Sequence, residues 1–126
     1  MQHVMQFRPA EMASVDPDRL AALYSELGEA GAEDVVCRAM EELALRLSHC
    51  DRLYRTAQWV QLRKSARSLI AIAEQIGMLK LARIAESVTD CIDAKNDVAL
   101  AATVARLMRI GEGSLSAIWD LQDVTI

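Results

Sequence analysis

Apolar residues recur along this chain at helical spacing, in one stretch after another. Leu20, Leu23, Tyr24 and Leu27 give a short helix its apolar side. Asp16 is suited to cap that helix's free amides, Pro17 fits the first helical position, and Asp18 meets the positive end of the dipole. Gly28 and Gly31 bracket a break. Val36, Met40, Leu43, Leu47, Cys50 and Tyr54 then form one continuous stripe, which predicts a long helix from about Ala32 to Arg55. Thr56-Ala57-Gln58 reads as a short turn. Leu62, Ala66, Leu69, Ala73 and Ile76 share one side of the next helix. Gly77 is a natural residue just past its end, because it takes positive φ without strain. Leu81, Ala85, Val88 and Ile92 mark a helix over roughly 79–94. Asn96-Asp97 restarts the chain into a last helix, with Leu100, Val104, Leu107, Leu115 and Ile118 inward.

None of these stripes can bury itself alone. Long amphipathic helices joined by short turns satisfy one another, so the expected fold class is all-α. The expected architecture is an up-down four-helix bundle, with a short additional N-terminal helix over 16–27 covering one end. Residues 1–14 show no period and are expected to form a flexible arm ahead of a single domain over 15–126. Gly111 and Gly113 interrupt the last stripe and predict a kink or a close helix contact. Without a preceding strand, that Gly-x-Gly does not read as a phosphate loop.

Composition agrees with helices. Five Gly, two Pro and one Phe are too few turn formers and aromatics for a strand-rich fold. Charges interrupt every apolar run before it reaches membrane-spanning length, and the first fourteen residues hold no continuous apolar segment of the signal-peptide kind. The expected setting is therefore cytoplasmic, with no membrane partner. Cys37, Cys50 and Cys91 sit at or beside apolar helical positions and read as buried free thiols. Two histidines, His3 and His49, and no Cys-x-x-Cys leave no metal site and no cofactor to expect.

The net charge of −4 conceals an asymmetry. Residues 46–83 hold Arg46, Arg52, Arg55, Arg63, Lys64, Arg67, Lys80 and Arg83 against only Asp51 and Glu74, while both flanking segments are acidic. Such a segment either neutralises its acidic neighbours on a solvated surface or presents a basic face to an acidic partner. Nucleic acid is not the expected partner, because the chain is acidic overall and this segment lacks a recognition-helix motif or stacking aromatics.

The candidate chemistry lies in Lys64-Ser65-Ala66-Arg67-Ser68-Leu69-Ile70-Ala71, followed by Ile76-Gly77 and Leu81-Ala82-Arg83-Ile84-Ala85-Glu86. This stretch resembles the core of the histidine phosphotransfer (HPt) domain family, whose pattern reads Ala-His-Ser-Leu-Lys-Gly, a leucine-glycine turn and a second amphipathic helix. The resemblance covers about residues 15–121. It takes in the Asp-Pro opening, the lead-in Gln58-Trp59-Val60-Gln61-Leu62-Arg63 where the family carries Asp-Trp, and Ala94-Lys95-Asn96-Asp97 before the last helix. It implies an HPt-like bundle. In that family an imidazole attacks the phosphoryl-aspartate of a receiver domain and holds the phosphoryl group covalently. Arg67 stands at the phospho-acceptor position, and a guanidinium stays protonated and offers no lone pair. The family's lysine is Ile70 here and its glycine is Ala71, while Glu74 places a carboxylate where it would repel phosphoryl charge. The resemblance therefore implies no catalytic residue and no enzyme.

Taking the stripe through Leu62, Ala66, Leu69 and Ala73 as inward, Arg67 points roughly 140° away at about 100° per residue. Val60, Arg63, Lys64, Arg67, Ile70, Ala71 and Glu74 make the expected partner-binding face, mixing apolar groups with charge. The leading expectation is an HPt-like signalling adaptor of the two-component phosphorelay type, binding a receiver domain or related partner without carrying phosphate. A structural bundle is an alternative, with a homodimer formed through Val60, Ile70 and Ala71. Another is phosphotransfer through a non-standard site such as His49. Neither Cys50 nor Asp51 faces His49 across a helix, so no ready-made nucleophile pair supports it.

Overall fold

The computed structural model describes residues 15–125, with side chains as far as residue 116. Among them are four helices and no strand: α1 (Pro17–Arg55), α2 (Trp59–Gln75), α3 (Leu79–Asp93) and α4 (Asp97–Thr125). α1 packs on α2, α2 on α3, α3 on α4, and α4 returns to α1, closing an all-helical bundle. No described helix is long and apolar enough to cross a membrane. The arm expected over 1–14, with His3, lies outside the described residues, and the side chain of Ile118, expected inward, lies beyond the described side chains.

α1 begins as its sequence indicates. Asp16 Oδ1 accepts a hydrogen bond from the Asp18 amide at 3.0 Å, and Pro17 leads the helix. The break falls at Gly28 alone (φ 76°, ψ 172°), and the helix resumes at once rather than at Ala32. Gly31 does not bracket it: one positive-φ residue redirects the chain, and Gly31 serves close approach instead, since a Cβ there would lie 3.1 Å from Leu27 Cβ. Tyr24 and Leu27, expected inward, are 41% and 49% exposed, while Leu23 is buried. The reason is that this segment is tied to the α2–α3 turn, not laid in a groove. The Asp16 amide donates to Gly77 O at 2.7 Å and Arg19 Nε to Gln75 O at 3.0 Å.

The three connections are one turn used repeatedly. In each, the residue after the C-cap adopts positive φ: Ala57 (55°), Gly77 (79°) and Lys95 (54°). Its amide bonds back to Tyr54, Glu74 or Ile92, and the next amide bonds back to Leu53, Ala73 or Cys91. This pairing is the Schellman motif, which satisfies carbonyls that the helix end leaves unpaired. The following helix then starts directly. Only α4 among the last three gains a side-chain cap, with Asn96 Oδ1 accepting from the Ala99 amide at 3.1 Å. Glycine is required at one of the three positions for a second reason. A Cβ on Gly77 would lie 3.0 Å from Arg19 Cβ and 3.1 Å from Asp16 O.

The core follows the stripes. Leu62, Ala66, Leu69, Ala73 and Ile76 are wholly buried and face Met40, Leu43 and Cys50 of α1, Leu81, Ala85 and Val88 of α3, and Leu107 of α4 within one cluster. Each large apolar side chain so buried contributes about 1.5–3 kcal/mol. α4 runs on through Gly111 and Gly113. The close contact is at Gly111, where a Cβ would fall 2.6 Å from Leu47 Cδ1, whereas Gly113 faces open space.

The turns give opposite expectations for similar substitutions. Ala57→Gly and Lys95→Gly relieve left-handed strain and should each raise stability by about 0.5–1 kcal/mol in urea unfolding. Gly77→Ala should lower it by more than about 1 kcal/mol, because strain and contact with Asp16 and Arg19 add.

Candidate functional site

α2 turns its buried row inward and so presents two flanks, one bordering α3 and one bordering α1. On the α3 flank Arg67, Ile70, Ala71 and Glu74 meet Glu86 and Thr89 of α3 around a groove of about 430 Å³. Arg67 is exposed and makes no hydrogen bond or ion pair with the described residues. Thr89 forms the groove's closed side: it is buried, and its hydroxyl donates to Glu86 O at 2.6 Å.

Arg63, one turn before Arg67, is engaged. Its Nε and Nη2 donate to Asp93 Oδ1 and Oδ2 at 2.8 and 2.9 Å, a bidentate pair. These hydrogen bonds hold the Asp93 carboxyl below its ordinary range. Burial opposes the shift, and the charges of Arg63 and Arg67 add to it. The Arg63 guanidinium is correspondingly raised, first by the hydrogen bond and then by the charge of Asp93.

Of the residues singled out from the sequence, Arg67, Ile70, Ala71 and Glu74 thus share one groove. Val60 stands apart near the start of α2, 64% exposed, beside Trp59, whose ring lies 5.9 Å from that of Tyr54. Lys64 turns to the other flank. There it lines a groove of about 180 Å³ with Arg46 and His49 of α1 and with Gln61, Ser65 and Ser68 of α2. Glu86, Thr89 and Asp93 had no signal in the local pattern of α2, because α3 supplies them. The antiparallel pairing implied by a tight Gly77 turn is the cue that could have pointed to them.

His49 is half-buried, and the nearby Asp51 carboxylate is engaged with Arg55 at 2.7 Å. Of the three thiols only Cys50 is fully buried; Cys37 and Cys91 are partly exposed, a correction to the expectation that all are enclosed. They border the core stripe, whereas Cys50 lies within it. Cys50 Sγ donates to Ser65 Oγ at 3.6 Å. Burial pushes this thiol up, against the opposing pull of the Ser65 hydrogen bond and the Arg46 charge. A further groove of about 440 Å³, at the end of the bundle away from Gly77, lies between Trp59, Cys91, Ile92, Lys95, Asp97 and Leu100. No group of three or more His, Cys, Asp or Glu among the described residues is placed to hold a metal ion.

Comparison with protein-family models, curated proteins and solved structures finds no match for this chain.

Two measurements check this geometry. Carboxyl titration by NMR should place the Asp93 midpoint below the ordinary aspartate range, and Arg63→Gln should return it upward. With a depressed folded value, the pair's contribution is present above the unfolded pKa and lost as pH falls through the folded one. That contribution is small, because both ends are substantially exposed. In alkylation under native conditions, Cys50 should react only on unfolding, well after Cys91.

Proposed function

We propose that this chain is an HPt-like adaptor that docks a receiver domain, or a related acidic signalling partner, on the α3 flank of α2 and carries no phosphoryl group. The observation that carries this reading is Arg67: an exposed guanidinium with no hydrogen bond or ion pair among the described residues, beside the apolar Ile70 and Ala71. On this reading the four helices form the up-down HPt-like arrangement. The sequence resemblance supports that, as do helices of matching order joined by tight turns at Thr56–Gln58, Gly77 and Lys95.

The chemistry separates the docking role from the transfer role. A permanent cation suits the cluster of carboxylates around a receiver's phosphorylatable aspartate and is incapable of attacking phosphorus. The neighbouring Arg63 is already committed to Asp93, so the two arginines differ in what they offer a partner. Ile70 and Ala71 supply apolar area that a charge contact alone would lack.

Binding to isolated receiver domains, with and without a phosphoryl mimic, tests the proposal. Arg67→Ala should weaken affinity roughly tenfold or more, Arg63→Ala by less, and rising salt should weaken the wild type more than Arg67→Ala. Incubation with a phosphorylated receiver should leave the intact mass unchanged. Equal affinities for wild type and both variants, or an acid-labile mass adduct, would overturn it.

A further inference from the structure

The flank of α2 facing α1 has a different chemistry from the Arg67 groove. Leu53 gives the groove on this flank an apolar side; around it stand Arg46, His49, Gln61, Lys64, Ser65 and Ser68, with no carboxylate among them. Each of these polar side chains is able to donate a hydrogen bond, and two are permanent cations at neutral pH. Ser65 accepts from Cys50 Sγ, which leaves its own hydroxyl hydrogen to donate. Ser68 and Ser65 also forgo the backbone bond that Ser87, Thr89 and Thr103 make to a carbonyl one turn back in their helices.

Arg46 is the decisive member. Its Nε is buried and has no hydrogen-bond partner. The ion pair from that nitrogen to Glu42 Oε2 spans 3.7 Å, beyond hydrogen-bond reach, and Glu42 is half exposed, so it is free to swing away. No nitrogen of Arg46 or Lys64 makes a hydrogen bond with the described residues. Packing in the seam between two helices therefore buries one guanidinium nitrogen without a hydrogen-bond acceptor among the described residues, an unusual state for a buried polar atom, while the side chain as a whole stays 35% exposed.

We infer that this groove between α1 and α2 is a binding site for a small tetrahedral oxyanion, the phosphate group of a phosphomonoester or free phosphate. A phosphate presents several acceptor oxygens to donors arriving from two helices, and charge-assisted hydrogen bonds from Arg46 and Lys64 fix it. The volume, about 180 Å³, is below the roughly 300–1,000 Å³ that encloses a drug-sized ligand, so the anion is small. The site is separate from the proposed docking groove and stands whether or not that reading holds.

Titration of the full chain with inorganic phosphate, followed by amide NMR, tests the site, with glycerol phosphate as the organic monoester arm and sodium acetate and chloride as controls at matched ionic strength. The shifts should saturate and centre on residues 46–53 and on Gln61, Lys64, Ser65 and Ser68, leaving Ala71, Glu74 and Glu86 of the Arg67 groove unmoved. Arg46→Gln and Lys64→Gln should each weaken binding roughly fivefold or more, and Glu42→Gln should strengthen it, by removal of charge-assisted contacts and of a competing carboxylate respectively. Tighter binding of glycerol phosphate than of inorganic phosphate assigns the site to an organic monoester; the reverse assigns it to the free ion. Lys64 is exposed, so its variant tests the site even if Arg46→Gln disturbs packing. Shifts that never saturate, match those from acetate or chloride, or saturate in Lys64→Gln at the same phosphate concentration as in the wild type would overturn the inference.

Discussion

Gly77 occupies the point where three helices are tied together. Its φ of 79° lets α2 end and α3 begin within a single turn, and its missing side chain lets the start of α1 approach until the Asp16 amide reaches the Gly77 carbonyl. Asp16 then acts twice, since its carboxylate caps the helix that its backbone has just anchored. Because the turn is tight, it also sets the register of α3 against α2. That register brings Glu86 and Thr89 beside the Arg67 groove and carries Asp93 to Arg63. A looser connection would free the first segment of α1 and unfix both pairings together.

From that register follows a sorting of charge around α2. The middle of the chain reads as a block of positive charge, yet its cations do not make one basic face. Arg63 is answered by Asp93, and the Arg67 groove includes the carboxylates Glu74 and Glu86. Arg38, Arg46 and Arg55 on α1 each meet an acid one turn earlier on the same helix, at distances from 2.7 to 3.7 Å. What remains weakly answered is the seam between α1 and α2, where Arg46 and Lys64 meet without an acidic lining residue. A sequence count of charges gives the total but not this partition, which depends on which helix lies beside which.

The periodic features were legible because burial enforces them. Every residue of the α2 row from Leu62 to Ile76 is fully enclosed, and a helix packed on both sides cannot keep such a row without the spacing showing in its sequence. The Asp16 cap and the Gly77 turn were legible because each rests on one residue's local chemistry. Tyr24 and Leu27 misled because apolar spacing does not say whether a helix is enclosed or, like the first segment of α1, meets the bundle through one edge. Ala57 and Lys95 hid two further left-handed turns, since neither residue type announces positive φ. Lys64 was grouped with Arg67 on angular grounds, and the boundary between two flanks passes between them. Asp93 and Arg46 were missed for a common reason: each gains its meaning from a neighbour some distance along the chain.

The two flanks also differ in the size of ligand they suit. Beside Arg67 two carboxylates line the groove, so a phosphoryl dianion brought there would meet as much repulsion as attraction and would find no nucleophile. On the proposed docking, an acidic protein surface would engage the exposed guanidinium while its apolar portion covers Ile70 and Ala71, area that a free phosphoryl group lacks. The α1 flank has the reverse balance, with donors from two helices, no lining carboxylate, and too little room for a protein loop. Placing both on α2 has a mechanical consequence. Any movement of α2 that opened one seam would have to repack the fully buried row from Leu62 to Ile76, and close-packed interiors resist such shifts. On the two proposals above, occupants of the two flanks would therefore be coupled only through a stiff element, and neither would have to displace the other.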